Sequence, residues 1–360
     1  MKLTSFFSIF TVAHNHSDQP TASKVSTVPT PDWNALSSLI QQYSSFIITS
    51  HVRPDADALG SELGLRAILL ALGKSVTIIN ASAPPANLEF MTPPGVILKL
   101  NSDIARPSIP AAEAIIVVDT CAWQQLGAMT DVIRSMPATR IVIDHHVSSD
   151  QLDAHEFKDV TAAATGELIF ELAESLGITF DSTTANWLYA AIATDTGWFR
   201  FPSTMSRTMR IAAALMDMGA MPHMVYGLVH EQLSLSRLRL AGRALSHTVS
   251  DADGRLIWLQ VNAQDLAETG AVAADTEGLV NQCLTIASSE AAFIAVELPS
   301  SQIKFSLRCR NPHDVAALAE KFAGGGHRLA SGCTLPGPLA DAVPKVRAAF
   351  LDMLRNDTEN

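Results

Sequence analysis

Beyond its first thirty residues the sequence holds no run of the roughly 18 uninterrupted apolar residues that a membrane-spanning helix needs, so no membrane-embedded role is expected. Basic residues are also in short supply: 25 Lys and Arg face 36 Asp and Glu, a formal net charge of −11. Coating long nucleic acid non-specifically requires a basic surface to displace counterions. A long duplex partner is therefore not expected, while a short anionic substrate held through metal ions stays open. Only four cysteines occur, Cys121, Cys283, Cys309 and Cys333, widely spaced and without a CxxC pair. That argues against structural zinc and a disulfide framework and fits a reducing, cytoplasmic setting. Charged residues make up just 17% and hydrophobic ones 48%, the balance of a globular chain rather than a disordered one. A length of 360 residues exceeds one ordinary core and implies two domains.

The first residues stand apart. Met1 to Ala13 carries a short apolar stretch that faintly resembles a signal peptide, but Ser and Thr interrupt it, a single Lys precedes it and no A-x-A site follows. Residues 1–31 therefore read as a disordered N-terminal extension.

The chemistry concentrates where apolar runs stop. Phe46-Ile47-Ile48 reads as a buried strand, and helical spacing of Leu59, Leu63, Ile68, Leu69 and Leu72 begins near Ala58 and stops at Gly73. Between them, His51, Asp55 and Asp57 place one imidazole and two carboxylates at a strand-to-helix corner stiffened by Pro54. Mixed nitrogen and oxygen donors suit manganese, magnesium or iron. An aspartate ahead of a helix is equally a helix cap, so this segment alone stays open between the two roles. The pattern then recurs. Ile115-Ile116-Val117-Val118 is an apolar run of the kind found in central parallel strands and ends in Asp119; Ile141-Val142-Ile143 ends in Asp144-His145-His146; a helical segment from Trp187 ends in Asp195-Thr196-Gly197. Each alone has a structural explanation as a cap or a turn. Delivered to one sheet edge, they can converge on a metal. His155, His223, His230, His247 and His313 lack such a setting and receive no role.

The spacing His51-x-x-x-Asp55-x-Asp57, followed by Asp119, Asp144-His145-His146 and Asp195, resembles the four motifs of the DHH phosphoesterase family. Ser306-Leu307-Arg308-Cys309-Arg310 and Gly324-Gly325-Gly326-His327 resemble its DHHA1 substrate-binding domain, so the resemblance spans roughly residues 33–355. It implies an α/β fold: a mainly parallel sheet with flanking helices, a smaller α/β domain, and an active site in the interdomain cleft. The expected division is a catalytic domain over 32–218, a linker over 219–245 and a substrate domain over 246–356. The linker stretch reads as a helix packed on the first domain, with a homodimer contact as the alternative.

The resemblance further implies two divalent ions, manganese by preference with magnesium as the alternative. His51, Asp55 and Asp119 would hold one, and Asp57, Asp119, His145 and Asp195 the other, with Asp119 as the bridge. The catalytic set is then Asp119, Asp144, His145 and His146, Asp144 orienting a ligand histidine and His146 contacting the scissile phosphate. The nucleophile would be a water shared by the ions, so no Ser or Cys nucleophile is required. Arg308, whose planar fork matches a phosphate, would bind substrate together with Gly324, Gly325, Gly326, His327 and His146, while Arg310 and Arg328 read as surface charges.

The layout is most similar to oligoribonucleases that also dephosphorylate 3′-phosphoadenosine-5′-phosphate (pAp). The implied substrates are short single-stranded oligonucleotides, pAp or dinucleotides; the rivals are a linear or cyclic dinucleotide phosphodiesterase and a non-catalytic nucleotide sensor. Four positions depart from the family pattern: Ala56 and Ala323 stand where glycine is usual, Cys309 where serine is, and no arginine precedes Leu126-Gly127. The last leaves substrate preference open.

Overall fold

The computed structural model describes residues 31–356 apart from 148 and 151, so nearly all of the expected N-terminal extension lies outside the described residues. The chain divides into two compact units, one ending at Glu231 and the other beginning at Gln232.

In the first unit, α1 (Trp33–Gln42) precedes β1 (Ser45–Thr49), α2 (Ala56–Ala71), β2 (Ser75–Asn80), β3 (Ile97–Lys99) and β4 (Ala114–Val118). α3 (Met129–Ser135), β5 (Thr139–Asp144) and β6 (His155–Lys158) follow, and then α4 (Thr165–Ser175), α5 (Ser182–Asp195), α6 (Ser206–Asp217) and α7 (Pro222–His230). The strands form one sheet in the order β3-β2-β1-β4-β5-β6, with every pairing parallel. Continuous apolar runs are what such a sheet demands, because helices cover both faces. Alternate residues accordingly go to opposite cores. Ile48, Ile116, Ile141 and Ile143 join α2, α4 and α5, whereas Ile47, Ile115, Val117 and Val142 join Met129, Val132 and Ile133 of α3.

α2 is buried along most of its length because it lies between the sheet and α5. Two glycines allow this. A Cβ on Gly60 would stand 2.5 Å from the Trp187 carbonyl oxygen, and one on Gly64 would stand 2.8 Å from Leu188 Cδ2. The expected helix over Trp187–Thr194 is thus the latter part of the longer α5, and its contact with α2 sets where Asp195 emerges.

The second unit begins with α8 (Leu235–Ser246) and continues through β7 (Val249–Asp251), β8 (Leu256–Val261), α9 (Ala263–Thr269), α10 (Leu279–Cys283) and β9 (Ala291–Glu297). β10 (Gln302–Cys309), α11 (Val315–Glu320), β11 (Gly325–His327), β12 (Ala330–Pro336) and α12 (Leu339–Asn356) complete it. Its sheet runs β11-β12-β10-β9-β8-β7, antiparallel except for β8 with β9. One face packs Ile257, Leu259 and Ile294 on α8 and α10; the other packs Phe293, Phe305 and Leu307 on α11 and α12. On that second face Phe293 stacks between Trp258 and Phe350, with ring centroids 5.3 and 5.4 Å away. The stretch 219–245, expected as a helical linker, holds α7 and nearly all of α8, each with an apolar side to bury. α7 packs by Val225 on the first unit, and α8 by Leu240 and Ala244 on the second. All four cysteines are free and buried. Among the described residues no helix is long and apolar enough to cross a membrane.

An ion pair in the second unit makes a pH-dependent prediction. Arg255 donates two hydrogen bonds of 2.9 Å to Glu290. Those bonds, against a smaller opposing effect of burial and with help from His313, hold the Glu290 carboxyl at about 2, below its ordinary 4.5. A depressed carboxylate adds stability above its unfolded pKa and loses it as pH falls towards the folded value. Glu290→Gln should therefore lower the unfolding free energy at pH 7, by less than about 1 kcal/mol for so exposed a pair. The difference should vanish on titration from pH 4.5 towards 2 in parallel denaturation curves.

Candidate metal centre

Strand order determines which side chains meet. β1 has β2 on one side and β4 on the other, so the chain reverses its winding direction between β1 and β4, and open α/β sheets bind ligands at such a switch. The corner after β1 carries His51, Asp55 and Asp57, the end of β4 carries Asp119, and the end of β5 carries Asp144, His145 and His146. α5 adds Asp195 as its last residue.

These side chains converge. His51 Nε2 lies 3.4 Å from Asp119 Oδ2 and 3.9 Å from Asp55 Oδ1. His145 Nε2 lies 3.4 Å from Asp195 Oδ2, 3.7 Å from Asp119 Oδ1 and 3.8 Å from Asp57 Oδ2. Three groups, Asp119 with His145 and His146, His51 with Asp55 and Asp119, and Asp57 with His145 and Asp195, each present ligand atoms within 4.8 Å of one another. Asp119 links them: one of its oxygens faces His51 and the other faces His145. Its backbone φ of +61° is a left-handed conformation that aspartate tolerates better than most residues.

The donor set fits divalent cations. His51 Nδ1 sits 3.0 Å from the Val52 carbonyl and His145 Nδ1 3.2 Å from the Ala162 carbonyl. A carbonyl only accepts, so each Nδ1 carries the hydrogen, and in the neutral ring each Nε2 turns a lone pair towards carboxylates. Lone pairs facing carboxylates repel unless positive charge lies between them. The carboxyls register the same demand. Burial, reinforced by Asp119, Asp195 and Asp55, raises Asp57 well above its ordinary range. Burial likewise pushes Asp195 up to about 6, with His145 opposing and Asp119 and Asp55 adding to it. Burial works to lower His51, yet Asp119 and Asp55 outweigh it and push it up to about 11. Protons and metal ions compete for such a cluster.

Two expected residues have additional or different duties. Asp55 is a helix cap as well as a candidate ligand: its Oδ1 accepts from the N–H groups of Asp57 and Ala58 at 3.0 and 3.1 Å, and the side chain is still 59% exposed. Asp144, expected to orient a ligand histidine, faces His146, which belongs to one of the three groups. Asp144 Oδ1 lies 2.8 Å from His146 Nδ1 and accepts the His146 N–H at 3.1 Å, because both belong to one tight turn at the end of β5. His145 is held by Ala162 instead.

The sequence reading missed Thr165 and Gly166. α4 begins with an alanine at its cap position, which leaves its first N–H groups unserved. Asp57 serves them from α2: Oδ2 accepts from Thr165 N–H at 2.7 Å and Oδ1 from Gly166 N–H at 2.8 Å. Thr165 also donates its hydroxyl to Asp119 Oδ1 at 2.9 Å. A Cβ on Gly166 would stand 2.9 Å from Ala191 Cβ and 3.3 Å from Asp57 Oδ1, so only glycine permits this approach. The run Ala162-Ala163-Ala164 before Thr-Gly was the available signal: a helix start without its own capping side chain.

In the second unit, Arg308 donates through Nε to Asn281 at 3.2 Å and through Nη1 to the Leu307 carbonyl at 2.9 Å, and burial lowers its pKa. Of the glycines expected to bind substrate, Gly325 and Gly326 lie in an edge strand, β11. Two glycines of the run are demanded by packing: a Cβ on Gly324 would stand 2.2 Å from the Gly332 carbonyl oxygen, and one on Gly326 would stand 2.7 Å from Ser331 Cα. Gly324 N–H is already bonded to the Ala319 carbonyl at 2.9 Å. Around Gly325 a Cβ would meet nothing within 4 Å, and His327 is exposed. Ala323, where glycine is usual in the family, holds a left-handed φ of +55°. Relief of that strain exceeds the entropy cost of a glycine, so Ala323→Gly should raise stability by about 0.5 kcal/mol in denaturant unfolding.

The chain is similar to known proteins over most of its length. Residues 45–192 match the DHH family, N-terminal domain, and residues 255–356 match the DHHA1 domain. The chain is 28% identical over 299 residues to the bifunctional oligoribonuclease and PAP phosphatase NrnA of Bacillus subtilis, covering 82% of this chain and 91% of that protein. It is 26% identical to the cyclic-di-AMP phosphodiesterase PdeA of Listeria monocytogenes, covering 81% of this chain and 45% of that protein. The crystal structure of an exopolyphosphatase-related protein from Bacteroides fragilis superposes with a TM-score of 0.80 at 29% identity, covering 89% of this chain and 95% of that one.

Proposed function

Because this chain belongs to the DHH family of phosphoesterases and is a hydrolase with a DHHA1 domain, we propose that it cleaves very short oligoribonucleotides to mononucleotides and converts pAp to AMP, with manganese as the preferred metal. The observation that carries this reading is the Asp119 carboxylate, with one oxygen towards the His51 and Asp55 group and the other towards the His145 group. A phosphodiester resists attack because it and hydroxide are both anionic; a pair of divalent ions neutralises the phosphate oxygens and supplies hydroxide near neutral pH.

The chain's own residues hold and orient. His51, Asp55 and Asp119 form one ligand group, and Asp57, Asp119, His145 and Asp195 the other. Asp57 is fixed by two backbone N–H groups of α4 and Asp119 by the Thr165 hydroxyl, so neither needs to reorganise on loading. Asp144 raises His146 above its ordinary pKa, with burial opposing. With Nδ1–H committed to Asp144, a protonated His146 donates from Nε2 to a phosphate oxygen. Arg308, exposed His327 and the open space at Gly325 suit a terminal phosphate, which a dinucleotide and pAp both present.

The test is release of labelled mononucleotide from a dinucleotide by metal-stripped protein with Mn²⁺ restored. Turnover that depends on Mn²⁺ supports the reading; no release overturns it. The similarity to a cyclic-di-AMP phosphodiesterase favours a second reading, turnover of linear or cyclic dinucleotides as second messengers. Rates on pApA, cyclic di-AMP, pAp and a five-nucleotide RNA separate the two, with pApA and pAp fastest if the first reading holds.

A further inference from the structure

A second polar cluster lies next to the metal centre and includes none of its ligands. Glu62, on α2, is 0% exposed, as are Asn80 at the end of β2 and Thr49 and Ser50 at the end of β1. Asn80 Nδ2 donates to Glu62 Oε2 at 3.1 Å, while Asn80 Oδ1 accepts the Ser50 N–H at 3.2 Å and the Thr49 hydroxyl at 3.3 Å. The direction of the Asn80 amide is settled by chemistry, since a backbone N–H only donates and must face the oxygen. A carboxyl removed from water is costly unless fully partnered. Here burial pushes Glu62 up to about 7, against the hydrogen bond from Asn80. An apolar side chain would fill this place between helix and sheet at less cost. What the polar chain provides is a fixed attachment for Ser50, the residue that leads directly into His51.

We propose that Glu62 and Asn80 are positioning residues for the cation held by His51, Asp55 and Asp119: together they anchor the Ser50–His51 corner and so set the imidazole against the two carboxylates. The inference rests on the metal reading above. It concerns metal affinity rather than turnover, so it is tested first without substrate.

Metal-stripped, full-length protein is titrated calorimetrically with Mn²⁺, and its thermal midpoint is measured alongside. Glu62→Leu removes the acceptor of Asn80, and Asn80→Asp sets a carboxylate against Glu62; each should weaken Mn²⁺ binding by about tenfold, the usual effect of losing a residue that orients a ligand. Glu62→Gln keeps an oxygen for Asn80 and should bind within about threefold of wild type. The double variant Asn80→Asp/Glu62→Gln reverses donor and acceptor and should recover most of the affinity lost in Asn80→Asp. In turnover, the Mn²⁺ concentration for half-maximal rate should shift in the same order while the rate at saturating Mn²⁺ stays near wild type. Equal Mn²⁺ affinity in wild type and a folded Glu62→Leu protein, or no recovery in the double variant, would overturn the brace and leave the metal reading standing. Absence of Mn²⁺ binding by wild type would overturn both.

Discussion

Asp119→Asn should lower kcat/KM on a dinucleotide by about a thousandfold, about 4 kcal/mol of transition-state stabilisation, while the protein stays folded. Asparagine is the informative replacement because residue 119 sits at φ +61°, which asparagine accepts as readily as aspartate. Its amide oxygen can still accept the Thr165 hydroxyl that now bonds Asp119 Oδ1. What disappears is one negative charge and one of the two oxygens that face the two ligand groups. Loss of a shared ligand should show as weaker Mn²⁺ binding at both groups together, and excess Mn²⁺ should not restore full activity. Activity within tenfold of wild type would mean that Asp119 does not bridge.

Gly60→Ala should cost about 2 kcal/mol of stability and about a hundredfold in kcat/KM, although the side chain touches no candidate ligand. Helix propensity alone favours alanine by about 1 kcal/mol, so the expected sign is set by packing. The new methyl would stand 2.5 Å from the Trp187 carbonyl and 2.9 Å from Ala191 Cβ, both on α5. Backbone cannot move aside as a flexible side chain can, and overpacking of this kind costs about 1–3 kcal/mol or more. For α2 and α5 to separate, Asp195 must move relative to Asp57, and a misplacement of about 1 Å at a reacting site costs about a hundredfold. Thermal unfolding should fall by roughly 4–8 °C, and activity should fall further than the unfolded fraction explains. A variant destabilised but fully active per folded molecule would show that Asp195 is placed independently of the α2–α5 contact.

The parts of the site that lie at strand ends could be read from residues alone. Ile115 to Val118 and Ile141 to Ile143 are apolar without a break, as strands buried on both faces must be, so Asp119 and Asp144 stood out at their ends. The second sheet carries a different signal, alternation: in β10 the buried Ile303, Phe305 and Leu307 take turns with Lys304 and Ser306, the pattern of a half-buried strand. Short edge strands were not legible. β3 and β6 have three and four residues, too few for any periodicity to register. Thr165 escaped notice because its importance lies in a contact with Asp57, 108 positions earlier in the chain, which no local pattern encodes. The glycine run has a packing duty that its composition does not announce. Its composition is that of a loop, whereas Gly324 and Gly326 are there to let β11 lie close against β12.

Asp57 gives both carboxylate oxygens to the opening N–H groups of α4, and this makes it the fastener of a helix as well as a candidate ligand. A descendant of this chain that had given up catalysis would still be selected to keep an acid at position 57, merely to remain folded. Its presence is therefore poor testimony to retained activity. His51 and Asp195, which fasten no helix of their own, are the positions where an abandoned trade would first leave its mark.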